Sequence, residues 1–162
     1  TRYTLVTGVQ TCALPIFYGT WSVLAALNAV GEDMTAPYIQ RAVAWLKARQ
    51  RDDGGWGEDC ATYWPDQRDA VKASTPSQTA WALLGLMAAG EVDSDSVERG
   101  IGHLVAAPRE GGKWDETYYN AVGFPRVFFL SYHGYSAYFP LWALARFRAL
   151  KDGNSRRPAY GL

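Results

Sequence analysis

Histidine and cysteine are scarce in this chain, with two of each among 162 residues. Two cysteines cannot build a disulfide framework. Positive and negative residues balance at 16 each. The chain thus lacks the electrostatic footprint of a nucleic-acid binder, and no nucleic acid is expected as a partner. There is no apolar run of about twenty residues, the length a membrane-spanning helix needs. The start shows no secretory-signal pattern, since Arg2 is its single early cation and Gln10 and Thr11 interrupt any apolar stretch. Strand signals are weak throughout.

What the chain has in excess is aromatic side chains. Hydrophobic residues make up 48% and aromatics 14%, with seven Trp. This is the composition of an ordered protein, and the length suits one domain with a sizeable core. The rings concentrate near the end: Phe124, Phe128, Phe129, Tyr132, Tyr135, Tyr138, Phe139 and Trp142 fall within residues 123–142. That stretch carries almost no acid, base or nucleophile. It either fills a core or lines an apolar cavity. A cavity of ring faces attracts a positive charge that has no hydrogen-bonding handle.

Residues 1–16 show neither a helical nor a strand period. Val6-Thr7-Gly8-Val9-Gln10-Thr11-Cys12-Ala13-Leu14-Pro15-Ile16 resembles, residue for residue, the translation of a common DNA-sequencing adapter. Residues 1–16 are therefore expected to be an artefactual, disordered tail, with the structured body at 17–152 and a loose tail at 153–162. The body reads as helices joined by Gly-rich turns. Phe17 to Val30 is apolar and Ala-rich and stops at Gly31. Thr35 is expected to cap a second helix, with Pro37 in its first turn and Ile39, Ala42, Val43 and Leu46 on one face. Asp52-Asp53-Gly54-Gly55 ends it. A third helix, opened by residues 74–76, runs from Gln78 to Ala89 and ends at Gly90. Asp93 or Ser94 caps a fourth, which stops at Pro108. A last helix is expected from Pro140 to Leu150.

The helices repeat. Arg41 to Trp56 recurs as Arg99 to Trp114, at a constant offset of 58 residues (41 to 99, 56 to 114). A fixed offset held over two helices each implies stacked helical hairpins. In the first copy Gln50 precedes Trp56 across a tight Gly turn. The indole is expected to fold back over the Gln50 amide and tie the turn to the helix end.

This repeat resembles the Gln-Trp motif of the squalene–hopene cyclase and oxidosqualene cyclase superfamily. The first copy fits at every specified position, with Arg41, Ala42, Trp45, Leu46, Gln50, Gly54 and Trp56. The second departs twice, with His103 at the aromatic position and Pro108 at the Gln position, so its turn is expected to be less tightly fastened. Tyr18-Gly19-Thr20-Trp21, the stretch from Ser77 to Leu86 and the stretch from Gly123 to Ala145 resemble the bacterial hopene-cyclase branch. The last is the most specific, with Gly-Phe-Pro followed by Phe128, Tyr132, Tyr135 and Phe139-Pro140. The sterol-forming branch carries a different sequence there. The resemblance covers Phe17 to Phe147 and matches the C-terminal portion of such an enzyme.

The resemblance implies an all-α fold, part of an (α/α) barrel of inner and outer helices. It implies cationic polycyclisation of squalene or a similar polyprenyl hydrocarbon to hopene- or hopanol-type triterpenes, with no cofactor. Phe124 and Phe128 are implied as catalytic rings that stabilise late cations. Tyr132 and Tyr135 are implied as supporting residues in the substrate-binding wall, and Tyr18 as a tyrosine near the protonation site. In the family an Asp-x-Asp-Asp acid starts the reaction. No such motif occurs here, so the chain alone is expected to be inactive. The full-length enzyme is implied to be a homodimer, peripherally bound at the cytoplasmic face of the bacterial membrane.

Other readings stand beside this one. Glu58 and Cys60, with His103 or His133, resemble the zinc-binding pattern of protein prenyltransferase β subunits, although zinc needs its ligands brought close. The acid pairs Glu58-Asp59 and Asp115-Glu116 could serve a glycoside hydrolase, but adjacent acids in Gly turns are expected to face water. A non-catalytic repeat scaffold accounts for the helices and Trp turns, but not for the Gly-Phe-Pro…Phe…Tyr…Tyr spacing.

Overall fold

A computed structural model of the chain describes residues 16–67, 70–108, 111–124 and 126–153. The two expected tails lie outside these residues, apart from Ile16 and Gly153. Five α-helices occur among the described residues: α1 (Ile16–Ala29), α2 (Pro37–Ala48), α3 (Pro76–Ala88), α4 (Asp95–Ala106) and α5 (Tyr135–Lys151). Short 3-10 turns cover Cys60–Tyr63 and Pro65–Gln67, and a hairpin of β1 (Ala121–Phe124) and β2 (Phe128–Leu130) precedes α5.

Helix α3 is the centre. Every residue from Pro76 to Ala88 is buried, which places the helix inside the core rather than on a surface. It packs between α1 and α5, and α2 and α4 lie against it as well. Those two helices bury one stripe each: Ile39, Val43 and Leu46 on α2, and Val97, Gly100 and Leu104 on α4. The result is two layers, α1-α3-α5 inside and α2-α4 outside, which is the expected all-α arrangement of inner and outer helices. Close contact between α1 and α3 depends on Gly85, where a Cβ would stand 3.1 Å from the Trp21 Cα.

The repeat turns are fastened more fully than expected. The Trp56 indole Nε1 donates to the Leu46 carbonyl at 2.7 Å, and 58 residues on the Trp114 Nε1 donates to the Leu104 carbonyl at 3.0 Å. The glycines that let each turn reverse, Gly54 and Gly112, both have positive φ, at 83° and 71°. The Gln50 amide contributes differently from the expected stack on the indole. Its Nε2 donates to the Gly54 carbonyl inside the turn and to the Ser96 carbonyl of α4, each at 2.8 Å. The second copy has Pro108 in place of that amide, yet it keeps the indole bond. The Gln bonds are missing from the second turn.

Other expectations need correction. Thr35 does not cap α2. Its N–H and hydroxyl both donate to Asp33 Oδ1, and Ala36 takes the cap position without a side-chain bond. Ser94 does cap α4, accepting from the Val97 N–H. Helix α5 starts five residues before Pro140 and carries that proline inside it. The lost backbone donor is outweighed by burial of Tyr135 and Phe139 against α3. Strand signals are weak throughout the sequence, yet Ala121–Phe124 and Phe128–Leu130 pair as an antiparallel hairpin with an irregularity between Val122 and Phe124.

Two glycines on α4 predict opposite outcomes. A Cβ at Gly100 would stand 2.8 Å from both the Leu83 Cδ2 and the Trp56 Cζ3, and the Trp56 ring is held by its hydrogen bond. Gly100→Ala should cost about 1–3 kcal/mol through overpacking. Gly102 has nothing within 4 Å of its virtual Cβ. Gly102→Ala should stabilise by about 0.5–1 kcal/mol through helix propensity. Urea unfolding of the two variants measures both, and the same sign in both would refute this packing.

Candidate functional site

Three of the residues singled out in the sequence come together on the inner layer. Tyr18 of α1 meets the ring of Trp81 of α3 edge to face, at 5.2 Å between centroids. Tyr135 of α5 meets the same indole at 5.9 Å. Tyr132 stacks on Tyr135 at 4.8 Å. Phe139 adds a further contact with Trp81 at 5.4 Å, and Trp21 and Trp142 close the group around Phe139. The cluster is assembled by helical spacing: Tyr18 and Trp21 lie one turn apart, as do Tyr135, Phe139 and Trp142 in succession. Sequence reasoning named the tyrosines but missed Trp81 as their hub. The i, i+4, i+7 pattern of 135, 139 and 142 was the available signal, hidden by starting the helix at Pro140.

This cluster carries no formal charge. Burial, together with the neighbouring hydroxyls of Tyr18 and Tyr132, raises the Tyr135 pKa above its ordinary 10.0, so the phenol stays neutral. Among the described residues, no oxygen or nitrogen accepts from the buried indole N–H groups of Trp21 and Trp81. Ring faces are the acceptors such a setting provides. The chemistry on offer is apolar contact and quadrupole attraction for a cation, not proton transfer.

The other two predicted residues sit on the hairpin. Phe124 and Phe128 are backbone partners in the β1–β2 register. Strand side chains alternate between faces, and here Phe128 and Leu130 are exposed while Phe129 between them is half-buried. Phe129 packs on Tyr63 and Trp64, with centroids 5.7 and 6.2 Å away. Arg126, at φ 61°, occupies the turn. Its Nε and Nη2 both donate to the Tyr63 carbonyl, at 3.0 and 2.8 Å.

A buried polar chain reaches Asn120, the residue before β1. The Thr75 hydroxyl donates to the Gln78 Oε1. Gln78 Nε2 donates to Asn120 Oδ1 at 2.9 Å, and Asn120 Nδ2 donates to Glu58 Oε1 at 2.5 Å. Glu58 Oε1 also accepts from the Phe17 N–H at the start of α1, at 3.0 Å. The expectation that the turn acids face water is therefore wrong for Glu58, which is 4% exposed. Glu116, its counterpart 58 residues on, likewise accepts from a helix start, the Ser77 N–H of α3, at 2.8 Å. Burial raises the pKa of Glu116, against that bond, which lowers it. Each acid lies two residues after its repeat Trp and satisfies an otherwise unpaired N–H of an inner helix.

The zinc reading finds no geometry to support it. Cys60 Sγ donates to the Tyr119 carbonyl at 3.1 Å, and burial pushes its thiol up to about 11. His103 Nδ1 lies 3.1 Å from the Asp53 carbonyl, in the first repeat turn. His133 precedes α5, next to Tyr132. Among the described residues no three His, Cys, Asp or Glu side chains stand close enough to hold a metal ion. The glycoside-hydrolase reading loses its pair as well, because Glu58 and Glu116 are each committed to a different helix start.

These features define an α/α helical-hairpin protein whose inner helices present an uncharged aromatic cluster. Residues 13–149 match the family described as squalene-hopene cyclase C-terminal domain. The chain is 57% identical over 146 residues to the squalene–hopene cyclase of Bradyrhizobium diazoefficiens, covering 90% of this chain and 22% of that protein. It is 59% identical over 142 residues to a probable squalene–hopene cyclase of Sinorhizobium fredii, covering 87% and 22%. It is 49% identical over 131 residues to the squalene–hopene cyclase of Alicyclobacillus acidocaldarius, covering 81% and 21%. The chain belongs to the squalene–hopene cyclase family, and it spans about a fifth of the length of these relatives.

Glu58 gives the fold a pH dependence. Burial pushes its carboxyl up to about 7 from an ordinary 4.5, against the lowering effect of the bonds from Phe17 and Asn120. Between those values the folded chain holds a proton that the unfolded chain has lost. Stability therefore falls as pH rises from about 4.5 to about 7 and levels off above. Glu58→Gln keeps an acceptor for Phe17 and Asn120 but cannot ionise. Across that window the unfolding free energy of the parent should fall relative to the variant by on the order of 3 kcal/mol. Urea unfolding at stepped pH measures the difference, and parallel profiles would refute the buried carboxyl.

Proposed function

We propose that this chain is part of a squalene–hopene cyclase and supplies an aromatic wall of the cavity in which squalene, or a similar polyprenyl hydrocarbon, is cyclised to hopene- or hopanol-type triterpenes. The observation that carries this reading is the cluster of Tyr18, Trp81, Tyr132, Tyr135 and Phe139 beside a hairpin bearing Phe124 and Phe128. A hydrocarbon offers no hydrogen-bonding group, so shape and apolar contact bind it. As ring closure moves positive charge along the folded substrate, each ring face lowers the energy of the nearby cation by about 0.5–2 kcal/mol. Such stabilisation exists only once charge has formed, so it favours the transition state over the bound substrate. Phe124 and Phe128 are the rings assigned to the late cations, and Tyr132 and Tyr135 hold the wall behind them. Loss of a proton or capture of water ends the cascade, giving the hydrocarbon or the alcohol.

The reaction needs a strong acid to protonate an alkene, and this chain has no Asp-x-Asp-Asp motif. Glu58 does not replace it. A carboxyl pushed up to about 7 holds its proton more tightly than an ordinary Glu, the reverse of what alkene protonation asks. The acid is assigned to a part of the enzyme outside this chain. The same reading carries no organic or metal cofactor, a homodimer, and peripheral attachment to the cytoplasmic face of a bacterial membrane. No described helix is long and apolar enough to cross a membrane, and attachment without crossing would use apolar surface.

The test is a chimaera in which residues 17–153 replace the aligned segment of the Bradyrhizobium diazoefficiens cyclase. With squalene it should form pentacyclic product, whereas the 162-residue chain alone should form none. Phe124→Ala in the chimaera should release partly cyclised hydrocarbons, identified by gas chromatography and mass spectrometry. A variant that made only the parent product, more slowly, would remove Phe124 from the cation path.

A further inference from the structure

We propose that Arg126 is a positioning residue that sets where the hairpin rings stand. This inference rests on the cyclase reading above for its consequence in catalysis, but the clamp itself rests on geometry alone.

The hairpin has little of its own to hold it. Its two strands span four and three residues, and a two-stranded ribbon of that length is marginal in water. Val127, Phe128 and Leu130 are exposed, so burial of these side chains does not fix it. Two anchors do. At its entry, Asn120 is tied to both Gln78 and Glu58. At its turn, the Arg126 guanidinium places two donors on one backbone oxygen, that of Tyr63, which lies 63 residues earlier in the chain. The fork of a guanidinium fixes direction as well as distance, which a lysine could not do.

The backbone at Arg126 reinforces the point. A φ of 61° is the left-handed region, which non-glycine residues other than Asn and Asp enter at a cost. A long side chain held there needs a compensating interaction, and the bonds to Tyr63 supply it. The clamp also registers Phe129 against Tyr63 and Trp64. With Phe129 seated, strand alternation turns Phe128 to the opposite face. Arg126 thus acts through the hairpin, without touching substrate. A displacement of about 1 Å at a reacting centre can change rate by about a hundredfold, so a slack hairpin should alter which cation is quenched.

Arg126→Asn is the informative variant, because Asn accepts the left-handed backbone while removing the guanidinium. Two measurements test the proposal. In the chimaera with squalene, the share of products with fewer rings should rise roughly tenfold, with KM unchanged and the melting temperature within a few degrees of the parent. An unchanged product ratio, or a uniformly slower reaction with the parent ratio, would overturn the positioning role. In the same protein, hydrogen–deuterium exchange at Phe128 to Leu130 should quicken while that of α3 stays fixed. Unchanged exchange there would overturn the clamp whatever the catalytic result. A parent chimaera without cyclase activity would instead overturn the proposed function, and the exchange measurement would still decide the clamp.

Discussion

The rest of the architecture hangs from one hydrogen bond made twice: an indole N–H given to a backbone carbonyl ten residues upstream. Trp56 makes it to Leu46 and Trp114 makes it to Leu104. A helix end leaves its last carbonyls short of intrahelical partners; the returning indole adds a bond there, beside the one that Leu46 already accepts from the Arg49 N–H, while burying a large ring. That bond decides where the chain goes next. Two residues beyond each Trp comes a carboxylate that accepts from the first turn of an inner helix, Glu58 from Phe17 and Glu116 from Ser77. The outer helix, the turn and the inner helix are thereby joined in one short piece of sequence. A 58-residue repeat is stable as a stack because each copy fastens its own outer helix end and reaches across to the start of an inner one.

The aromatic cluster depends on those helix starts. Tyr18 follows Phe17 directly, and Trp81 lies one turn past Ser77. Two carboxylates at the outer turns therefore fix the height of two rings that meet at 5.2 Å on the inner layer. The polar chain from Thr75 through Gln78 and Asn120 to Glu58 does the same for the hairpin. Burying polar groups in a core costs free energy unless their bonds are made. Here they are made between three segments far apart in sequence, so the network rewards a single arrangement of those segments. An apolar substitute could match its stability without specifying that arrangement.

Legibility in the sequence followed how local each cause is. The repeat was readable because Gly54 and Trp56, and again Gly112 and Trp114, act through turns of a few residues. The helices of the body were readable for the same reason, apart from their ends. The start of α5 was not, because a proline suggests a first turn and only the packing of Tyr135 and Phe139 on Trp81 shows that the helix begins earlier. The tyrosines were legible through family resemblance, while their hub, Trp81, was one apolar residue among many in a wholly buried helix. Glu58 was misread because its burial comes from a helix start 41 residues away, which composition around it cannot reveal. The hairpin escaped notice since its determinants, the bonds of Arg126 to Tyr63 and the seat of Phe129, are equally remote.

The two aromatic groups are held in contrasting ways. The cluster around Trp81 is locked by rings packed on rings inside three helices, where a shift of one must move the others. The hairpin is held at its ends by polar bonds, with Phe128 and Leu130 left exposed between them. A chain that only needed a core would have little reason to leave rings on so slender a support. The wall proposed here for a migrating cation has such a reason. In that proposal a rigid rear surface sets the cavity's shape. A front carried on a separate element can be placed by a few directed hydrogen bonds, without repacking the helices that define the fold.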